Sequence, residues 1–320
     1  MELRINPPDA LSTLACLNQC FPGWGDQQFF HWAYQRAMPA QPAPDYLVLS
    51  ESGADIAGSG INYRQVLLPH GGAVTAGIMT GSWTLPAARG RGCFSRMIEE
   101  SIRLTADRGG ALLLAFVTED NPSCRQLLKA GAASFPTSYL SWRPGAASPA
   151  GHHDLRPVAN IPQHLFQRWL QTKTGFAHFE YPSLEAWCSQ ITRRPTNIMS
   201  LQRADDFAVM EEKGDTYRLL AYLESETEKP IDFVARLRNY AAQNSKGLFI
   251  FSSEPEFSQS AIEDGFVHRP GFITAHVADW RRLADALRHT AHEGASHTAL
   301  ADHTSPWFLG HWRLQSGDRM

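Results

Sequence analysis

The sequence predicts an α/β protein built from two copies of one arrangement. One sign is the order antiparallel strands, helix, strand, helix between residues 46 and 129; a second is the return of that order between 207 and 263. The third is the length of 320 residues, which at roughly 100 to 200 residues per domain suits two domains. With 43% hydrophobic and 19% charged residues, the chain has enough apolar surface for two cores and too little charge for a disordered polymer.

The elements follow in order. Tyr46–Ser50 reads as a strand, Glu51–Asp55 as a turn, and Ile56–Leu68 as a second strand in which Gly58 and Gly60 permit a bulge. A third strand runs from about Ala73 to Leu85. From Phe94 to Asp107, residues Met97, Ile98, Ser101, Ile102 and Thr105 share one helical face, and Gly109-Gly110 can end the helix. Ala111–Val117 reads as a buried strand and Pro122–Lys129 as a short helix. The small, turn-forming stretch Arg143–His153 reads as a linker. Beyond it, Phe207–Met210, the turn Lys213–Asp215 and Tyr217–Leu223 form a hairpin. A helix (Ile231–Gln243), a strand (Gly247–Ser252), a short helix (Ser258–Glu263) and a last strand (Phe272–Val277) complete the repeat. A helix from Arg281 to His292 and an aromatic segment, Trp307–Trp312, which can pair back onto a sheet, form the tail. The domains expected are 1–145 and 146–320.

Composition excludes several functions. Lys plus Arg is 29 and Asp plus Glu is 32, a net charge of −3, so no whole-protein grip on nucleic acid is expected. The longest apolar runs, such as Ala111–Val117, fall far short of the roughly 18 residues that cross a bilayer. The N-terminal stretch has an acidic residue and Pro7-Pro8 where a signal peptide would be apolar, so no export signal is expected. Cys16, Cys20, Cys93, Cys124 and Cys188 form no CxxC pair, which suits reduced thiols in a cytoplasm.

The most informative stretch is Leu85-Pro86-Ala87-Ala88-Arg89-Gly90-Arg91-Gly92-Cys93-Phe94-Ser95-Arg96. A strand ends, and two glycines precede a helix. Without a Cβ at Gly90 and Gly92 the backbone can turn so that several N–H groups point into one concavity, and the helix adds its first-turn N–H groups and dipole. Such a site favours a phosphate or pyrophosphate, with Arg89, Arg91 and Arg96 as countercharge. The plain alternative is a surface turn with solvated arginines. There is no GxxxxGK[ST] string, and Gly53–Gly60 lacks GxGxxG spacing, which demotes ATP and NAD.

From this turn through Ala111–Val117, Asn121-Pro122-Ser123 and Lys129-Ala130-Gly131, the segment resembles the core of the GNAT superfamily of acyl-CoA N-acyltransferases. That family's [QR]xxGx[GA] pattern, which cradles the pyrophosphate of coenzyme A, is matched by Arg89–Cys93 through the second glycine, with Phe94 in place of the final small residue. The resemblance is good over about Val74–Ala132, extends to residue 1 and is faint after the linker. It implies an α+β fold of two GNAT-like mixed, mostly antiparallel sheets flanked by helices, the second copy degenerate. It also implies acetyl-CoA or another acyl-CoA as cosubstrate and no metal. Trp83, Thr84 and Leu85 would offer backbone to the pantetheine arm. Arg89, Gly90, Arg91, Gly92, Cys93, Phe94 and Ser95 would hold the pyrophosphate. Asn121, a helix N-cap by its local chemistry, would also lie beside the pantetheine. The tyrosine that many members carry on the next helix is absent from Ser123–Lys129.

Direct acyl transfer needs a base for the amine and donors for the oxyanion. Glu119 is the first candidate base, with Asn121 beside it; Asp120, Asp26 and His31 are others. Each has a plainer role, as a helix cap or a solvated surface group. Cys93 and Cys124 have no nearby His in sequence, which disfavours an acyl-enzyme. Phe21, Trp24, Phe29, Phe30, Trp32 and Tyr34 form either an acceptor pocket or core packing. In the second half the turn is replaced by the acidic run Glu224–Glu228, which repels a pyrophosphate and reads as a solvated loop or a face toward a cationic amine. His289, His292, His297 and His303 with Glu293 lack HExxH, and exposed histidines are the simpler reading than a metal site.

The leading expectation is therefore N-acetyl transfer to a small-molecule amine by a monomer or homodimer. The alternatives are a noncatalytic CoA-binding module, or an acyltransferase acting on a hydroxyl or a carrier-linked substrate.

Overall fold

The computed structural model describes residues 1–36, 38, 40–69, 72–145, 153–288 and 311–319. They divide into two units, 1–135 with 273–288, and 136–272 with 311–319. Each unit is thus discontinuous in sequence, whereas the sequence predicts a single division, at 145/146. The histidine cluster from His289 to His303, the residues Trp307–Gly310 and most of the linker lie outside the described residues.

In the first unit, β1 (Glu2–Ile5), β2 (Asp45–Glu51), β3 (Ala54–Leu67) and β4 (Ala73–Thr84) pair antiparallel in that order. The unbroken run Tyr46-Leu47-Val48-Leu49 is buried along its whole length, as a strand covered on both faces requires. β5 (Leu112–Thr118) joins β4 in parallel, from Ala76 opposite Leu112 to Met79 opposite Ala115. A parallel neighbour needs a crossover, and α3 (Cys93–Asp107) supplies it. Its Met97, Ile98, Ser101, Leu104 and Thr105 are buried; Leu104 takes the place expected for Ile102. α1 (Ala10–Cys20) and α2 (Gln27–Tyr34) precede the sheet, and α4 (Pro122–Lys129) follows β5. The far side of β5 is covered by β13 (Val267–Val277), where Ala278 N–H donates to the Ala111 carbonyl at 2.8 Å, and α9 (Trp280–Arg288) follows it.

The second unit repeats this order. β7 (Arg156–Val158), β9 (Asn197–Arg203), β10 (Asp206–Lys213) and β11 (Thr216–Leu223) are antiparallel neighbours. β12 (Gly247–Ser252) joins β11 in parallel after the crossover helix α7 (Pro230–Gln243), and β6 (Ala133–Trp142) lies on its far side. α7 and α8 (Pro255–Glu263) bury Phe233, Val234, Leu237, Ala241, Phe257 and Ala261 against the sheet. No element is expected from the sequence between 133 and 206, where β6, β7, α5 (Gln163–Gln171), β8 (His178–Phe179), α6 (Leu184–Ile191) and β9 form. Among the described residues no helix is long and apolar enough to cross a membrane.

Candidate functional site

The site is built where β4 and β5 part. Their pairing stops at Met79 and Ala115, while β4 continues to Thr84 and β5 to Thr118. β4 bulges at the same place: Gly60 faces Thr80 and Gly58 faces Trp83, so Gly81 and Ser82 together oppose Ser59. Ser59 and Ser82 hydroxyls hydrogen-bond across the bulge at 2.8 Å, and Gly81 takes φ +57°.

After β4, a single turn at Pro86–Ala88 leads into Gly90 (φ +76°) and Gly92 (φ +78°), both left-handed. A side chain at either position would meet open space; the demand for glycine is in the backbone. Gly92 is the N-cap of α3 and has no side chain to cap the helix, and the first turn holds no acid. The first-turn N–H groups of α3 and the positive end of its dipole are therefore left for an anion.

The arginines divide their roles. Arg91 donates to Glu51 at 2.5 Å, Arg96 to the Met1 carbonyl at 3.1 Å, and Arg89 through Nε to the Thr84 carbonyl at 3.4 Å. Arg91 thus spends its charge on Glu51, whose carboxyl it holds below its ordinary pKa. Arg89 is exposed at the turn and keeps both Nη groups out of that bond.

The other end of α3 is anchored. Its C-cap residue Arg108 grips Asp45 with Nε at 2.9 Å and Nη2 at 2.8 Å, and Asn6 and Tyr63 also donate to that carboxylate, at 2.7 and 2.8 Å. Burial opposes the charge on Asp45, but these donors outweigh it and hold the carboxyl below its ordinary pKa.

No family model matches the chain, and no curated protein sequence matches it. Solved structures do. A GCN5-related N-acetyltransferase from Anabaena variabilis ATCC 29413 aligns over 89% of this chain and 75% of its own, with a TM-score of 0.59 and 13% identity. A tandem GNAT protein of clavulanic acid biosynthesis aligns over 87% and 99%, with a TM-score of 0.62 and 11% identity. Saccharomyces cerevisiae N-myristoyltransferase, solved with bound myristoyl-CoA, aligns over 87% and 79%, with a TM-score of 0.60 and 10% identity.

The chain has the GNAT fold. Within the first unit of this fold, the residues expected to hold a cofactor fall into distinct positions. Gly90, Arg91 and Gly92 are exposed at the turn, and Phe94 and Ser95 are half-buried in the first turn of α3. Cys93 points inward, its thiol toward the Ala88 carbonyl at 3.7 Å, so what it offers outward is its backbone. Trp83 is buried against Gly58 with Leu17, Phe30 and Tyr34. The Thr84 carbonyl receives Arg89 and, at 3.6 Å, the Cys20 thiol, and Leu85 N–H donates to Ile56.

Asn121 caps α4: its Oδ1 accepts from Ser123 N at 2.9 Å, and Pro122 opens the helix. The cap uses Oδ1 and not Nδ2. Glu119 and Asp120 are exposed at the end of β5. Burial and then Glu119 push the Cys124 thiol up, which keeps it protonated and a poor nucleophile. Asp26 is the N-cap of α2, accepting from Phe29 N at 2.8 Å, and His31 is exposed with Nδ1 3.1 Å from Gln35.

In the aromatic cluster, Phe30, Trp32 and Tyr34 are core, Trp24 stacks on Tyr34 at 5.6 Å, and Phe21 is exposed. Sequence reasoning placed Tyr34 only within that cluster. Its hydroxyl donates to the Thr80 carbonyl at 3.4 Å and sits where a Cβ on Gly81 would be 1.9 Å away. Burial pushes this phenol well up, so it is a neutral donor at the bulge. The signal was the pair Gly60 and Gly81, whose missing Cβ atoms make room for its ring.

Proposed function

We propose that the chain transfers an acetyl or other short acyl group from acyl-CoA to the amine of a small-molecule acceptor, by direct attack on the thioester. The observation that carries this reading is the Gly90–Gly92 turn with the uncapped N-terminus of α3, set beside the parting of β4 and β5 in a GNAT fold. The turn's donors and Arg89 hold the pyrophosphate, and the edge of β4 that β5 no longer pairs, over Thr80–Thr84, lies along the pantetheine and acyl carbonyl. The first unit, which holds most of the expected domain 1–145, carries this work, and the second unit, drawn from the expected domain 146–320, is the degenerate copy. Asn121 Nδ2 contributes to holding the arm, and Glu119, directly or through water, takes the proton from the amine. The departing thiolate is protonated by water, since α4 has no tyrosine. All five cysteines are free thiols, which supports a reducing, cytoplasmic setting for a chain we take to act as a monomer or homodimer.

Release of free CoA thiol from acetyl-CoA across a panel of amines tests the proposal. The expected result is thiol release that depends on one amine class and is lost in Gly92→Val; binding of CoA without turnover of any acyl-CoA would overturn it. That outcome would favour a noncatalytic CoA-binding module, for which the exposure of Glu119 and the absence of a tyrosine on α4 speak.

A further inference from the structure

The second unit parts its parallel strands as the first does. β11 and β12 pair from Thr216 opposite Gly247 to Leu219 opposite Ile250, and β11 bulges at Leu220, since Met210 faces Leu219 and Val209 faces Ala221. Beyond that point the strands are bridged by the chain's own C-terminal segment.

The bridging is by peptide-type hydrogen bonds on both sides. Tyr222 N–H donates to Gln315 Oε1 at 3.0 Å, and Gln315 Nε2 donates to the Tyr222 carbonyl at 3.1 Å, so one side-chain amide makes both bonds that a neighbouring strand would make to that residue. On β12, Ser252 and Gln315 form an antiparallel bridge, and just beyond the strand Ser253 N–H donates to the Leu314 carbonyl at 3.3 Å. The Ser253 hydroxyl accepts from Leu314 N and donates to the Trp312 carbonyl, both at 2.7 Å.

The segment has a built cradle. Trp312, Leu314, Gln315, Ser316 and Asp318 are all buried. Trp169 Nε1 donates to Gln315 Oε1 at 3.0 Å, and Arg194 donates to the Gly317 carbonyl at 2.7 Å. Asp318 accepts from Tyr181 at 2.6 Å and from Gln315 N at 2.8 Å, and pairs with the buried Lys173 at 3.4 Å. Gly317 packs so closely on the bulge that a Cβ there would lie 2.9 Å from the Leu220 carbonyl. Arg313 reaches Glu254 through Nε at 2.8 Å.

We infer that the strand gap of the second unit is a peptide-binding groove whose resident ligand is the chain's own segment His311–Arg319, held in place of a pantetheine arm, so that the chain takes one acyl-CoA and not two. A pantetheine arm is a flexible chain with two amides; the Gln315 carboxamide and the peptide groups of Trp312–Leu314 supply the same donors and acceptors to Tyr222 and Ser253. The count of one rests on the cofactor reading of the first unit, while the groove does not.

The test uses the full chain in two arms. Native mass spectrometry with excess CoA is expected to show one CoA per chain, and two would overturn the inference; none would instead refute the proposed function and leave the groove to the second arm. That arm compares amide hydrogen exchange in the wild type and Gln315→Ala. Exchange of Tyr222 and Ser253 is expected to be at least about tenfold faster in the variant, with Gly77 and Leu113 in the first unit unchanged. Equal protection of Tyr222 in both proteins would overturn the groove.

Discussion

The two strand gaps start from one design and end differently. β4/β5 and β11/β12 each pair over a short parallel stretch, and each first strand bulges where the pairing stops. The first gap is followed by a left-handed glycine turn into an uncapped helix; the second is followed by 224–229, with no glycine, and leads into α7 with Asp232 in its first turn. There Glu228 pairs with Arg203 at 2.6 Å and with Arg236, so the acidic run is partly an ion-pair knot rather than a solvated loop. Glu224, half-buried, has its carboxyl raised to about 7 by burial and by Glu254. On the readings proposed above, a parted pair of strands receives an amide-bearing chain, and the turn that follows decides whether a pyrophosphate can be part of that chain.

Each unit stakes a buried carboxylate on holding its arrangement, and removing them breaks the comparison most strongly. Asp318→Ala leaves the buried Lys173 ammonium without its carboxylate, with the Arg313 carbonyl still accepting from it, at an expected cost of about 4 kcal/mol, read from denaturant unfolding. Asp45→Ala, which frees the C-terminal end of α3, is expected to cost less, about 3 kcal/mol, because the Arg108 side chain is 45% exposed and can turn to water. The opposite ranking would mean that the tail is not the more buried lock.

The first unit carries a further pH dependence. Burial pushes the His276 imidazole on β13 from 6.5 down to about 4, and its Nε2 has no hydrogen-bond partner. The unfolded chain therefore binds a proton as pH falls below about 6.5 while the folded chain stays neutral, so stability is full above that pH and declines down to about 4. The expected loss is about 2–3 kcal/mol, and His276→Leu is expected to flatten the curve in unfolding measured from pH 7.5 to 4.

Three smaller changes sharpen the contrast. Gly92→Val places a branched residue at φ +78° and is expected to weaken CoA binding at least about tenfold by calorimetry. Serine at Glu226, in the second turn, is expected to leave it unchanged. Tyr34→Phe removes one long hydrogen bond to Thr80 and is expected to cost about 0.5 kcal/mol, with thiol release per CoA bound showing whether the bulge needs that hydroxyl.

What the sequence disclosed was local. The bounds of α4 are legible because Asn121-Pro122 is cap chemistry complete within four residues, and the glycine turn because positive φ is written in the residue type. The capped start of α6, where Ser183 accepts from Ala186 N at 3.1 Å, was equally local and went unread. What stayed hidden were pairings between distant positions: Arg91 with Glu51, Arg108 with Asp45, and Gln315 with Tyr222, 93 residues away. An apolar run such as Phe272–Val277 marks a strand and carries no mark of which strand it will join.

That last pairing governs the order in which the protein can be made. The first sheet has β5 in place once residue 118 is synthesised, but its neighbour on the far side belongs to Ile273–Val277. During elongation at about 5–20 residues per second, that edge stays open for roughly ten to thirty seconds while everything between is added. Exposed strand edges recruit other strands, so the nascent chain, more than the finished protein, is the state in which this molecule is expected to depend on a chaperone.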